Sequence, residues 1–126
     1  MAQWVPCGGD FIQADVIRWK EAVWERRSRR KNARAVNVGD RTVIAEVLSI
    51  DKQGWVRLLV RGGAILTEKT TRRIAPLAKG QEIKRKRSTI LRGKPERLTW
   101  SDESARALLA SKFLARENDA GDDGNN

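Results

Sequence analysis

The segment Thr42-Val43-Ile44-Ala45-Glu46-Val47-Leu48-Ser49-Ile50 is crowded with β-branched side chains, and Asp51-Lys52-Gln53-Gly54 follows it directly. Branching at Cβ restricts χ1 in a helix but suits a pleated surface, so the run predicts a strand. Asp51 to Gly54 predicts a hairpin turn. Trp55 to Val60 is then the returning strand, with Val56, Leu58 and Val60 on one face and Trp55, Arg57 and Leu59 on the other. A chain with this pair at its centre must bury one face of a sheet.

The flanks are read as helices. Ile12, Val16, Trp19 and Val23 recur at three- and four-residue steps, widened by Ile17 and Trp24, which predicts an amphipathic helix over 11–31 ending near Asn32. Ser101-Asp102-Glu103 offers a capping hydroxyl and first-turn acids, and Ala105, Leu108, Leu109 and Phe113 continue the pattern over 102–115. Between them, Val38-Gly39-Asp40 opens the β unit and Gly62-Gly63 is expected to end its second strand. Ala64 to Thr67 and the residues around Ile74 are further strand segments, and Gln81 to Leu91 reads as a charged edge strand closed by Gly93-Lys94-Pro95.

The segment from Val38 through the Gly54 turn into the second strand resembles an SH3-like or Tudor-type small barrel. The expected fold is therefore α+β: a small antiparallel SH3-like or Tudor-like barrel or sheet, about 38–100, flanked by an N-terminal and a C-terminal helix. One domain over 1–116 and a disordered acidic tail over 117–126 complete the plan.

Composition narrows the chemistry. The 126 residues contain no His and one Cys, so zinc-finger, iron-sulfur and disulfide scaffolds have no ligand set, and no cofactor or metal is expected. Cys7 lacks a base to activate it, the carboxylates are scattered, and neither glycine pair continues into a phosphate loop, so no enzyme is expected. No apolar stretch is long enough to span a bilayer, and the start resembles no leader, so a cytoplasmic protein is the expectation.

Charge supplies the positive signal: 26 Lys and Arg against 16 Asp and Glu, a net +10. One cluster is Arg26, Arg27, Arg29, Arg30, Lys31 and Arg34, with Trp24 one helical turn away. It resembles the arginine-rich helices of some phage antitermination proteins, which implies RNA as one target. The other is Lys84, Arg85, Lys86, Arg87, Arg92 and Lys94, with Arg97 beyond. On a strand, Lys84 and Lys86 point one way and Arg85 and Arg87 the other. Surface solvation of the first cluster and edge protection by the second are the bland alternatives.

Planar guanidinium forks suit phosphate, and Trp55 and Trp24 are the candidates for stacking on bases. The expected function is a non-enzymatic nucleic-acid-binding accessory protein that contacts the backbone of DNA or RNA. The alternative is a protein-interaction adaptor or inhibitor that offers its basic face, or its Trp-bearing helix, to an acidic protein partner.

Overall fold

The computed structural model describes residues 2–26, 34–70 and 73–112. Six strands form one antiparallel sheet: β1 (Trp4–Pro6), β2 (Val16–Arg26), β3 (Ala35–Ile50), β4 (Trp55–Glu68), β5 (Glu82–Lys86) and β6 (Glu96–Leu98). Their order in space is β1-β6-β2-β3-β4-β5. A short helix α1 (Arg87–Arg92) links β5 to β6, and a second helix, α2, covers 103–112. The expected α+β plan, with a β unit between two terminal helices, is overturned. The molecule is mainly an open antiparallel sheet with two short helices.

The largest correction falls on the segment expected to form a helix over 11–31. Its described part contains β2, which pairs with β3 from Val16 opposite Glu46 to Arg26 opposite Ala35. Ile17, Trp19 and Glu21 are buried at every second position, the period of a strand. The apparent helical spacing arose by joining unrelated parts. Phe11 and Ile12 belong to the preceding turn, and a bulge after Val23 shifts the register of Trp24. A Trp-bearing helix as an anchor falls with it, since Trp24 stands on a strand, while Arg27 to Lys31, which carry most of the likeness to arginine-rich helices, lie outside the described residues.

The β3–β4 hairpin forms around the Asp51 carboxylate, which accepts the backbone N–H groups of Gln53 and Trp55, both at 2.9 Å. Gly62-Gly63 does not end the returning strand. The pair lies inside β4 opposite Ile44 and Val43, beside a bulge at Ile44/Ala45. A Cβ on Gly63 would sit 2.4 Å from the Thr42 carbonyl oxygen, so glycine lets the ladder continue through a close approach. The edge strand expected over 81–91 is β5 only to Lys86, and Arg87 turns the chain into α1.

Ile17, Trp19, Val43, Ala45, Val47, Val56, Leu58, Val60 and Ile83 meet on one face of the sheet, joined by Phe11 and Ile90. The sheet curls enough for Arg85 on β5 to reach Glu21 on β2, although β3 and β4 lie between them. Helix α1 packs against both β2 and β5 and drives Ile90 into the core at full burial. The chain then meets β2 backbone to backbone, the Lys20 N–H donating to the Gly93 carbonyl at 3.1 Å. A Cβ on residue 93 would come within 2.1 Å of the Lys20 carbonyl, so this contact requires glycine.

A second fastening holds α2. The fully buried Asp15 accepts from the Ile12 N–H (2.9 Å), Trp100 Nε1 (2.8 Å), and Arg106 Nε and Nη2 (3.0 and 2.8 Å). Four donors on one carboxylate compensate its desolvation. Arg97 and Glu103 pair alongside at 2.6 Å. No helix among the described residues is long and apolar enough to cross a membrane.

Candidate nucleic-acid interface

Beyond Arg18, β6 no longer accompanies β2, and the interval between β2 and α1 opens into a cleft of about 850 Å³. Its walls carry Lys20, Arg41, Arg85, Arg92 and Lys94 against two carboxylates, Glu21 and Asp40, with Trp24 beside them. Along β2, Glu21 points to the core side and Lys20 and Ala22 to the other face, and all three border the cleft because it lies against the edge of β2 that β6 leaves uncovered. The curl of the sheet brings Arg85 over from β5, and the turn after α1 presents Arg92 and Lys94.

The floor is a buried charge triad. Glu21 Oε1 accepts from Trp19 Nε1 (3.0 Å) and Arg85 Nε (2.9 Å). Its Oε2 accepts from Arg41 Nε (3.1 Å) and Nη2 (2.8 Å) and from Arg85 Nη2 (3.1 Å). Burial opposes ionisation of Glu21, but the hydrogen bonds from Arg85 and Arg41 outweigh it and hold the carboxyl below its ordinary range. Arg41 and Arg85 are therefore fixed in place, and one of their two charges is neutralised. The Asp40 carboxylate is bonded by the Thr67 hydroxyl at 3.1 Å.

The sequence candidates divide. Arg85, Arg92 and Lys94 line the cleft. Arg26 lies two residues beyond Trp24 on the same face of β2, exposed, and Arg34 is exposed just before the register partner of Arg26, Ala35. Arg27, Arg29, Arg30 and Lys31 lie outside the described residues, as does the acidic tail. Lys84 and Lys86 project from the opposite face of β5, where the Lys86 ammonium stands 5.4 Å from the centre of the Trp55 ring. Arg87 turns back to donate to the Gly9 carbonyl and lies over Phe11. The second cluster is thus split by its strand, half to the cleft and half away from it.

Sequence reading missed Lys20, Arg41 and Asp40. The available signal was the alternation Ile17, Trp19, Glu21 set against Arg18, Lys20, Ala22, which places Lys20 on the open side. Cys7 is a half-buried free thiol whose Sγ donates to the Pro95 carbonyl at 3.5 Å. Burial, with the nearby Asp15 charge, pushes its thiol up to about 11, so it remains protonated at neutral pH.

No family model, curated protein or solved structure matches the chain.

Proposed function

We propose that the protein is a non-enzymatic nucleic-acid-binding module that holds the phosphate backbone in the cleft between β2 and α1. One observation carries the reading. Lys20, Arg92 and Lys94, drawn from distant parts of the sequence, meet on one cleft and have no carboxylate partner among the described residues. By contrast, Arg18, Arg57, Arg61 and Arg97 pair with Glu96, Glu82, Glu46 and Glu103. Cations without carboxylates that converge on one cleft supply the field that a polyanion needs. Arg26 and Arg34 extend it along the β2–β3 hairpin. Contacts of this kind fix the backbone without reading sequence, and a cytoplasmic site of action suits the free thiol of Cys7.

The test is fluorescence anisotropy of labelled DNA and RNA oligonucleotides over a salt series. About five engaged cations give a log-log salt slope of roughly −3.5 on single strands and −4.5 on duplex. Replacing Arg92 and Lys94 together by Ala should weaken binding and flatten the slope by about 1.4 to 1.8. The same change at Lys52 and Lys79, exposed on turns away from the cleft, should do neither. Absence of binding at low salt, or equal losses from both pairs, would overturn the reading. Capture of an acidic protein that survives nuclease and high salt would point to the adaptor role instead.

A further inference from the structure

The five tryptophans are not equivalent. Trp19 is buried and donates to Glu21, and Trp100 donates to the buried Asp15. Trp4 lies under the Arg18 guanidinium, 4.4 Å from the ring centre, and Trp55 under the Lys86 ammonium. Trp24 alone has no such partner among the described residues and is the most exposed, at 61%. It stands at the cationic cleft with its indole open to solvent.

From this we infer that the cleft takes a single-stranded stretch of nucleic acid, with one base stacked on Trp24. The inference rests on the nucleic-acid reading above and specifies its substrate. In a duplex each base face is already covered by its neighbours, so an indole can stack only on a base that has left the helix or was never in one. A cleft of about 850 Å³ has the scale of a ligand pocket, suited to a few nucleotides of a flexible strand rather than to the side of a rigid cylinder.

The experiment compares a labelled oligothymidylate of about fifteen nucleotides with a blunt duplex of the same length. Both are titrated at one salt concentration against the full chain and its Trp24→Ala and Trp24→Phe variants. Because Trp24 is exposed, both variants should melt with the parent. The expected result is tighter binding of the single strand, a loss of roughly 5- to 150-fold in Trp24→Ala, and retention of most affinity in Trp24→Phe. Duplex binding should be unchanged by either substitution. Equal binding of both oligonucleotides, or a single-strand affinity indifferent to Trp24→Ala, would overturn the single-strand inference and leave the backbone-binding function standing. Failure of both oligonucleotides to bind the parent would remove both.

Discussion

Glu21 shows how one side chain sets the character of a site. Its carboxylate accepts five hydrogen bonds from Trp19, Arg41 and Arg85, with only 6% of the side chain exposed. Glu21→Ala would leave two guanidinium groups and an indole N–H facing a space with no acceptor. A loss of about 3–5 kcal/mol is expected, read from urea unfolding midpoints. Replacing all three charged members together, Glu21→Leu with Arg41→Met and Arg85→Met, should recover most of that loss, since an apolar cluster of similar volume carries no desolvation penalty. If the single change costs no more than an exposed substitution, the triad does not hold the floor of the cleft.

At the scale of elements, the two helices depend on very different fastenings. α1 is held by Ile90 in the core and by the backbone contact at Gly93, whereas α2 exposes Leu108 and Leu109 and is moored through Arg106 to Asp15. Asp15→Ala should therefore release α2 selectively. Amide exchange over 103–112 should accelerate by orders of magnitude while β3 and β4 keep their protection. Unchanged protection in α2 would show that other contacts moor it. The β3–β4 hairpin was legible in the sequence because its signals are local: branched side chains, alternation, and an Asp at the turn. β2 was not, because Glu21 occupies a core-facing position and breaks the apolar alternation that marks a strand. Its neutralising partners Arg41 and Arg85 lie 20 and 64 positions away, beyond the reach of any pattern window. The basic clusters were legible as composition. Their division between two faces of β5, and the recruitment of Lys20 and Arg41, followed from pairing that only the folded sheet defines.

For the whole molecule, the carboxylates that tie distant elements make stability acid-sensitive. Arg97 beside Glu103 holds that carboxyl at about 2, and Glu21 is likewise held below the ordinary value of 4.5. Both are depressed on folding, so their contribution is fully present above pH 4.5 and is lost as pH falls toward 2. Melting temperature should hold steady from pH 7 to 5 and then fall, with the growing positive charge steepening the loss. Glu103→Gln should lower the melting temperature at pH 7 and make the acid decline shallower. A decline as steep as the parent's would separate Glu103 from the effect.

The cleft draws its walls from residues 20–24, 40–41 and 85–94, and its floor closes only when Arg85 meets Glu21. A nascent chain leaving the ribosome consequently has no complete cleft until the segment around Lys94 has emerged and β5 has docked. On the proposed function, the choice of a strand over a duplex therefore begins only once Arg85 on β5 has met Glu21.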